Sequence, residues 1–536
     1  MIDPQGSAAP DVTPQDLAAW ARHLRAERPA DALVAELTST DLPTAFARTA
    51  ADSPDSLALS VDGPWRTHGE LARLAARVHA VLVARGVVAG DRVLLCGATS
   101  DALVVAYLGL LRAGAVVVLA DPGDTRSELE HLVTDSGARL AMADAEPAAR
   151  LEDLVDVLVL GATLPDAEEP EPVVPGSDAV AMIAYTSGTT GAPKGVPLTH
   201  ANLLSSIRAA MLAWSWSPSD VLVHALPLSH QHGLGGVHAT LLAGSRVVVR
   251  PRFDPDDLAD TAERHRASVL FAVPAMYERL VSSPAARRLG ASLRLAVCGS
   301  APSTPDLAAR VAATLGRAPL ERYGSTEAGL DVSLPLDGPG APGMVGLPLP
   351  GVQMRLTSPT GGEVLLRGPQ VFTGYWNNPS ATAEAFDEQG WFRTGDLGVL
   401  DPGTGYLRLT GRLKELIITG GMNVAPREVE LALDDHPAVA EVAVAGLASG
   451  QWGEQVTAWV VATPGRTPTE DELLAHAGER LAPHKRPKRV YVVDELPRNR
   501  MGKVQRHELR PPTGPAAEVD TTDLDRALDR LRRADP

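Results

Sequence analysis

The chain has 536 residues, of which 45% are hydrophobic and 21% charged, and its formal net charge is -17. This composition is typical of a globular protein with a large core and excludes a disordered or collagen-like chain. The negative charge argues against nonspecific binding to nucleic acid or to anionic membranes. The two cysteines, Cys96 and Cys298, lie in apolar runs and do not indicate a disulfide framework.

The N-terminus has neither the basic nor the apolar region of a signal peptide, and we therefore expect a cytoplasmic protein. The most apolar stretch, residues 102–120, is interrupted by Arg112 and Gly114. It predicts a buried helix followed by a strand rather than a membrane span.

From residue 42 onward, strand-like and helix-like segments alternate. Residues 1–41 are predicted to form an N-terminal extension with one helix near residues 17–27, ahead of Pro29. Strands are predicted at 56–61, 92–96, 115–119, 221–225, 247–249, 269–272 and 293–298, and helices at 68–84, 101–111 and 127–136. Such alternation predicts an α/β fold whose mostly parallel sheets are covered by helices on both faces.

The pattern changes after residue 340. Residues 340–412 are rich in Gly and Pro and predict a small β-rich lobe, and a new α+β pattern starts near residue 425. We expect a large N-terminal domain at 42–412, a small α+β domain at 413–510, and a linker with a charged tail at 511–536.

A loop rich in Gly, Ser and Thr, Tyr185-Thr-Ser-Gly-Thr-Thr-Gly-Ala-Pro-Lys-Gly195, lies between two strand-like segments. Glycines let backbone N–H groups approach a polyphosphate, and hydroxyls and an ammonium add donors. The alternative, a flexible surface linker, fits poorly because the flanking segments look like strands. The predicted phosphate-binding residues are Thr186, Ser187, Gly188, Thr189, Thr190, Gly191 and Lys194. It is not a Walker A loop, because no Lys-Ser or Lys-Thr pair follows the last glycine.

Further motifs follow this loop in a fixed order: Leu226-Pro-Leu-Ser-His-Gln-His-Gly233, Glu321-Arg-Tyr-Gly-Ser-Thr-Glu327, Trp391-Phe-Arg-Thr-Gly-Asp396, Gly411-Arg-Leu-Lys-Glu-Leu-Ile417, Gly420-Gly-Met-Asn-Val424 and Pro497-Arg-Asn-Arg-Met-Gly-Lys503. Over residues 42–510 the chain resembles the adenylate-forming superfamily of acyl-CoA synthetases, peptide-synthetase adenylation domains and luciferases. Within it, the chain looks most similar to malonyl-CoA synthetase-like and aryl or fatty acyl-CoA ligases. An ordered series of motifs is more specific than any single motif.

The resemblance implies that ATP activates a carboxylic acid to acyl-AMP with release of pyrophosphate, and that the acyl group then passes to CoA. The implied cofactors are ATP, Mg²⁺ and CoA, and the partners are a small carboxylic acid and CoA, with no nucleic acid or membrane. A ligase that only adenylates, or that loads an acyl carrier protein, stays open. The small C-terminal domain is expected to be mobile and to rotate about Lys414 between the two half-reactions.

The resemblance also assigns roles to residues far apart in sequence. For the nucleotide it implies an adenine-packing ring (Tyr323, beside Gly324), an α-phosphate contact (Thr326), a Mg²⁺ ligand (Glu327), a ribose acceptor (Asp396) and a ribose or phosphate contact (Arg412). For catalysis it implies Lys503 together with Glu327, Thr186 and His230, and for the thiol tunnel Gly420 and Gly421. A hard cation needs carboxylate and phosphate oxygens together, as these roles provide.

The acid pocket is expected beside His230 and His232. In the peptide-synthetase domains that the chain resembles, an Asp near this motif would hold the substrate's ammonium; segment 229–234 has no acid, which disfavours an amino acid substrate. The resemblance to fatty acyl-AMP ligases would imply an insertion ahead of the hinge, and its absence between residues 396 and 411 favours CoA as acceptor. Small side chains at the implied pocket positions favour a bulky or aromatic acid, although glycines also serve turns. These positions are Gly235, Gly236, Gly299, Ser300, Ala301, Gly324, Ser325, Gly329 and Leu330.

Arg322 supports a second possibility. In malonyl-CoA synthetases, which this region resembles, an arginine here would pair with the distal carboxylate of a short diacid. A structural ion pair is the alternative role. We therefore expect a bulky or aromatic acid, with a malonate-type diacid as the alternative.

Overall fold

The computed structural model describes residues 12–26, 28–164, 169–186, 193–301, 303–449, 452–498 and 503–512. These residues form two compact units. The first holds the described residues up to Lys414 together with Lys503, and the second holds the remainder.

The first unit alternates helices and strands along most of its length. Its helices are α1 (Pro14–Ala21), α2 (Ala30–Thr38), α3 (Leu42–Asp52), α4 (His68–Ala84), α5 (Asp101–Arg112), α6 (Arg126–Ser136), α7 (Ala145–Leu151), α8 (His200–Ala213), α9 (Gln231–Ala243), α10 (Pro255–His265), α11 (Pro274–Val281), α12 (Ala286–Leu289), α13 (Pro305–Leu315) and α14 (Pro379–Ala385). Its strands are β1 (Leu57–Val61), β2 (Arg66–Thr67), β3 (Arg92–Cys96), β4 (Val116–Ala120), β5 (Leu140–Ala143), β6 (Asp156–Val159), β7 (Val180–Thr186), β8 (Lys194–Thr199), β9 (Val221–His224), β10 (Arg246–Val249), β11 (Val269–Ala272), β12 (Leu295–Cys298), β13 (Leu320–Ser325), β14 (Gly329–Ser333), β15 (Leu347–Pro348), β16 (Gln353–Leu356), β17 (Gly362–Arg367), β18 (Phe392–Leu400) and β19 (Leu407–Arg412).

Two sheets of the first unit are mostly parallel. One has the strand order β6-β5-β3-β4-β7-β8, and the other has the order β15-β14-β13-β12-β11-β9-β10-β1-β2. Strands such as β4 are buried at every position, as expected where helices cover both faces. The carboxyl ends of parallel strands are where open α/β sheets bind ligands. The predicted α/β architecture is confirmed.

A smaller antiparallel sheet, with the order β16-β17-β18-β19, forms the β-rich lobe. Its last two strands pair Asp396 with Arg412 directly. This register brings two residues from separate sequence motifs together.

The second unit is an α+β domain. Its elements are β20 (Ile417–Thr419), β21 (Met422–Val424), α15 (Pro426–Asp434), β22 (Val439–Ser449), β23 (Gly453–Ala462), α16 (Glu470–Arg480) and β24 (Arg489–Val493). The sheet order is β21-β20-β23-β22, with β24 parallel to β23. Short 3₁₀ turns occur at Leu413–Glu415 and Arg506–Glu508.

The N-terminal helix differs from the sequence-based expectation of residues 17–27. Helix α1 begins earlier because Thr13 and Asp16 form a capping box and Pro14 occupies the first turn. A second helix, α2, follows. The indole of Trp20 is buried and donates to the carbonyl of Val352 at 2.7 Å, so these helices pack into the core of the first unit. None of the described helices has the length and apolar character needed to cross a membrane.

Candidate active site

The two flanks of the predicted phosphate loop are fixed to helix α6. Strand β7 ends at Thr186 and strand β8 begins at Lys194, while Ser187, Gly188, Thr189, Thr190 and Gly191 lie outside the described residues. On one flank, the Tyr185 hydroxyl donates to Asp135 Oδ2 at 2.7 Å. On the other, His131 Nε2 lies 2.8 Å from the Pro193 carbonyl, which can only accept, so this nitrogen carries the proton. Neither of these two contacts was predicted from the sequence.

Glu327 lies in the turn between β13 and β14, close to Lys194. The Tyr375 hydroxyl donates to Glu327 Oε1 at 3.0 Å, and Lys194 Nζ lies 4.9 Å from the centre of the Tyr375 ring. Within the described ranges, no group of three or more His, Cys, Asp or Glu side chains is arranged to hold a metal ion. Glu327 would give a cation one carboxylate, and Mg²⁺ commonly combines one or two carboxylates with phosphate oxygens and water.

Asp396 is almost fully buried at the junction of two predicted motifs. Its Oδ2 accepts from the Tyr323 hydroxyl at 2.7 Å, and its Oδ1 accepts from Arg412 Nε at 2.7 Å. Burial and the neighbouring carboxylate hold the pKa of Tyr323 well above its usual value, so the phenol stays a donor. Each carboxylate oxygen has a second lone pair, which leaves acceptor capacity for ribose hydroxyls.

The loop that carries Asp396 is held by its neighbours on the same sheet. Glu363 accepts from the backbone N–H of Gly395 at 3.1 Å and from the Arg393 guanidinium at 3.0 Å. Thr394 donates its hydroxyl to the Val364 carbonyl at 2.7 Å and accepts from the Asp396 N–H. These bonds fix the position of the carboxylate before any ligand arrives.

The histidine motif begins helix α9, and an aspartate from another strand lies beside it. His230 is the N-cap residue, and its Nε2 lies 3.9 Å from Asp121 Oδ2. The Ser229 hydroxyl donates to the same carboxylate oxygen at 3.1 Å. Asp121 follows β4, so the local sequence around the motif could not reveal it.

Arg322 projects from β13 across the backbone of Gly299, which follows β12. A Cβ added at Gly299 would lie 2.4 Å from Arg322 Nε, so only glycine leaves room for the guanidinium. Arg322 Nε is buried and has no hydrogen-bond partner among the described residues. Burial lowers the pKa of Arg322 to about 10, with Cys298, Asp331 and Glu321 acting in the opposite direction. The arginine therefore remains a cation.

His232 lies near Arg322 and near a second buried histidine, His224, since both act on its pKa. His232 Nδ1 lies 3.0 Å from the Ser300 hydroxyl, and Ser300 has a left-handed backbone (φ 71°), which is rare for a serine and typical of functional positions. His224 was not predicted from the sequence; its Nδ1 accepts from the Leu226 N–H at 3.1 Å, so its Nε2 carries the proton. Nε2 of both histidines has no partner within the described part of the chain.

Burial keeps both imidazoles neutral. It lowers the pKa of His224 to about 3, and it lowers the pKa of His232 well below its usual value, with Arg322 and His224 acting in the same direction. Neutral rings next to an arginine avoid repulsion and can still donate hydrogen bonds.

The pocket glycines permit close packing rather than open space. A Cβ at Gly236 would meet Leu222 Cδ2 at 2.7 Å, and one at Gly324 would meet the Gly329 carbonyl at 2.0 Å. Gly329 itself has φ 71° and packs on Ser206, and a Cβ at Gly235 would lie 3.1 Å from Ile207. Contact with neighbouring atoms therefore accounts for the lack of a side chain at these four positions.

The remaining predicted pocket residues have varied surroundings. Ser325 ends β13, and its hydroxyl is buried without a partner in the described ranges. Leu330 on β14 donates its N–H to Ser206 Oγ at 2.8 Å, and Ala301 is half-buried after β12. Thr326 accepts at its carbonyl from Gln231 Nε2 at 3.2 Å.

Other predicted residues lie at or beyond the division between the units. Lys414 is the last residue of the main segment of the first unit and lies in a 3₁₀ turn. Gly420 (φ 57°) and Gly421 (φ 78°) form the tight turn between β20 and β21, a conformation that favours glycine. Lys503 is half-buried.

Comparison with known proteins decides the family. A model of the AMP-binding enzyme family matches residues 46–376, and a model of the C-terminal domain of AMP-binding enzymes matches residues 428–503. The chain belongs to the AMP-binding enzyme family.

Relatives of this AMP-binding enzyme are CoA ligases. It is 37% identical to a feruloyl-CoA synthase of Amycolatopsis sp over 86% of this chain and 97% of that protein. It is 34% identical to the mitochondrial malonate–CoA ligase of Homo sapiens over 79% and 84% of the two chains. ATP-bound MatB from Rhodopseudomonas palustris has the same fold, with a TM-score of 0.82, 39% identity, and coverage of 87% and 97%.

These findings confirm the predicted type of enzyme and its cofactors. The AMP-binding enzyme is an AMP-forming acid–thiol ligase, which activates a carboxylic acid with ATP and transfers the acyl group to CoA. It uses ATP, Mg²⁺ and CoA, and its small-molecule partners are the acid and CoA.

Proposed function

We propose that the predicted residues carry the adenylation step in the roles that the family resemblance implies. A carboxylate that attacks the α-phosphate of ATP brings two anions together, so the protein must supply cations and oriented donors. Lys194 would neutralise the departing pyrophosphate, and Lys503 would lie between the carboxylate and the α-phosphate. Asp396 and Tyr323 would hold the nucleoside. The paired carboxylate of Asp396, already fixed by two donors, supports this assignment.

Mg²⁺ bound at Glu327 would offset the charge on the phosphate oxygens. Glu327 accepts from Tyr375, so its carboxylate is oriented in the absence of a ligand.

We also infer that a small domain, residues 413–510, rotates about Lys414 between the half-reactions. Such a rotation would withdraw Lys503 and bring Gly420 and Gly421 to the thiol. The left-handed turn at Gly420 and Gly421 supports this role, since it favours glycine and leaves open space around Gly421 for a thiol arm.

Replacement of Lys503 tests this scheme. Lys503→Ala should reduce carboxylate-dependent pyrophosphate exchange about 100- to 1,000-fold, because a cation is lost where charge accumulates. It should largely spare thioester formation from a supplied acyl-adenylate. Equal loss of both half-reactions would contradict the alternation of domains.

For the acid, we propose a short dicarboxylic acid of the malonate type. The single observation that supports it most is the buried Nε of Arg322, which has no partner in the described residues and lies near His232, whose pKa it lowers. Arg322 Nε and, by its tautomer, His224 Nε2 are donors; buried donors without partners are costly, and a second carboxylate of the substrate would satisfy the Arg322 donor. The preference for a bulky acid relied on small side chains, and the close contacts of the glycines weaken that argument. The malonate–CoA ligase relative agrees with a diacid.

An aromatic acid is the second candidate. The feruloyl-CoA synthase has the higher identity of the two enzymes compared above, and a phenolic acid also carries polar groups distant from its carboxylate. Its hydroxyl would accept from one of the same donors, with no charge to pair with Arg322.

Pyrophosphate release with a panel of acids tests the proposal. Malonate should be activated with a higher kcat/KM than ferulate and than monomethyl malonate, which keeps the size of the diacid and lacks its distal charge. The discrimination against the monoester should be about 30- to 100-fold, the value of one hydrogen-bonded charge pair. Ferulate turned over faster than malonate would reverse the assignment.

The acceptor is settled by repeating the assay with and without CoA. We keep an acyl carrier protein as the alternative acceptor. We also propose that the protein is located in the cytoplasm. Thioester formation on free CoA alone would argue against a requirement for a carrier protein.

A further inference from the structure

Tyr375 stands between two groups that the two large sheets supply separately. Lys194 begins β8 in one sheet, whereas Glu327 follows β13 in the other. The Tyr375 hydroxyl donates to Glu327 Oε1 at 3.0 Å, and the face of its ring lies 4.9 Å from Lys194 Nζ. One side chain therefore contacts both the predicted metal ligand and the predicted phosphate cation.

The backbone around Tyr375 is fastened to the same places. The Phe372 N–H donates to the Glu327 carbonyl at 2.8 Å, and the Trp376 N–H donates to the Gly195 carbonyl at 2.8 Å. The Trp376 indole donates to the carbonyl of Asp135 on α6 at 3.0 Å. The segment 372–376 is thus hydrogen-bonded to both large sheets and to α6.

Two further contacts hold Tyr375 itself in place. Its ring packs edge-on against the buried Phe372 ring at 4.9 Å, and its N–H donates to Thr382 Oγ1 at 2.9 Å. Burial and Glu327 raise the pKa of its phenol, so the hydroxyl donates at any ordinary pH. A donor on Oε1 fixes the rotation of the Glu327 carboxylate, which determines where the second oxygen points.

We propose that Tyr375 is a positioning residue that holds the Glu327 carboxylate and the Lys194 ammonium at a fixed separation, so that the metal ion and the departing pyrophosphate are bound as one unit. This inference rests on the roles proposed above for Glu327 and Lys194. The hydroxyl acts on the metal ligand, and the ring acts on the lysine. A cation over an aromatic face is restrained without losing its charge, which leaves Lys194 able to pair with phosphate.

Two substitutions separate the two contributions. Tyr375→Phe removes the hydroxyl and keeps the ring, so it should weaken metal binding about tenfold, the effect of one hydrogen bond to a charged group. Tyr375→Leu removes both and should in addition raise KM for ATP about two- to fivefold, the effect of a cation–π contact. Neither substitution should alter discrimination between acids.

The direct readout is metal binding without turnover. Binding of Mn²⁺ is measured by electron paramagnetic resonance in the presence of an ATP analogue with a methylene group between the α- and β-phosphates. The Mg²⁺ concentration that half-saturates pyrophosphate exchange is measured in parallel. Tyr406→Phe is the matched control, because the Tyr406 hydroxyl is buried without a partner among the described residues.

The outcomes are distinct. Weaker Mn²⁺ binding in Tyr375→Phe, with Tyr406→Phe like the wild type, supports the positioning role. If Glu327→Gln weakens Mn²⁺ binding and Tyr375→Phe does not, the inference about Tyr375 is wrong while the metal role of Glu327 stands. If Glu327→Gln binds Mn²⁺ as the wild type does, the proposed metal ligand itself is wrong.

Discussion

The two halves of the proposed active site, a nucleotide half around Asp396 and Glu327 and an acid half around Arg322, differ in how completely their polar groups are paired. On the nucleotide half, Asp396 accepts from Tyr323 and Arg412, and Glu327 accepts from Tyr375. On the acid half, His224, His232 and Arg322 each bury a nitrogen without a partner in the described residues. Arg322 and Tyr323 are adjacent on β13, so the change occurs between consecutive side chains that point to opposite faces.

The difference reflects what each half has to recognise. The nucleotide is the same in every turnover, and a network paired in advance can hold its ribose without reorganising. On the acid half, the substrate itself must supply the groups that pair with the buried nitrogens. An acid that lacks such groups leaves these nitrogens buried and unpaired. Such a site rejects analogues lacking the right group more strongly than an apolar pocket can.

The largest effect is expected on the nucleotide half. Asp396→Asn should lower kcat/KM for ATP at least about 100-fold and destabilise the first unit by about 2–3 kcal/mol, because it breaks a charge pair whose aspartate is buried. The figure is below that of a fully buried pair, since 46% of the Arg412 side chain is exposed. Pyrophosphate exchange and urea unfolding measure the two effects. Asp401→Asn, in the turn between β18 and β19, is the control, and equal loss in both variants would contradict the role of Asp396.

A smaller effect, selective for diacid substrates, is expected on the acid half. Arg322→Met should lower kcat/KM for malonate about 30- to 100-fold, as one charge-assisted pair is lost, and should leave monomethyl malonate almost unchanged. Its stability should be equal to or above that of the wild type, because the removed guanidinium buries an Nε that has no partner in the described residues.

Arg294→Met provides the contrast to Arg322→Met. Arg294 is paired with the buried Asp220 at 2.7 Å, and neither residue belongs to a predicted motif. Its loss should destabilise the protein and affect all acids alike. If Arg322→Met were as unstable as Arg294→Met, the difference between paired and open groups would be refuted.

The fold and the enzyme class were predictable because motifs and strand–helix alternation are local patterns. Buried β4 and the alternating helices follow from runs of apolar residues, and the family matches confirm the superfamily. The roles of individual site residues stay predictions. The start of α1 was predicted wrongly at residue 17, because the prediction did not use the capping box of Thr13 and Asp16, which begins the helix at Pro14.

What the sequence could not show depends on contacts between distant segments. Asp121 reaches His230 from another strand, His224 lies outside any recognised motif, and Tyr375 lies 48 positions from the carboxylate it contacts. The packing role of Gly299 needed the position of Arg322 above it. Each of these is a property of the tertiary structure.

The smallest effect concerns the buried histidines and pH. Burial lowers the pKa of His224 to about 3 from the 6.5 expected when unfolded. Below pH 6.5 the unfolded state therefore binds a proton that the folded state does not, and stability falls as pH falls towards the folded pKa. This histidine alone should cost about 1.4 kcal/mol of unfolding free energy between pH 7.5 and 5.5. His224→Gln should remove this loss of unfolding free energy, and urea unfolding at both pH values measures it. His507→Gln, at an exposed position, is the control.

Ligands should then separate His224 from the other buried histidines. His238 also has a pKa lowered to about 3 by burial, but its Nε2 is already paired with the Tyr107 hydroxyl at 2.9 Å. Malonate bound near His224 should raise the pKa of that imidazole and so reduce the loss of stability at low pH. Monomethyl malonate, which brings no distal charge, should leave it unchanged. An equal effect of both ligands would mean that the open donors do not face the second carboxylate.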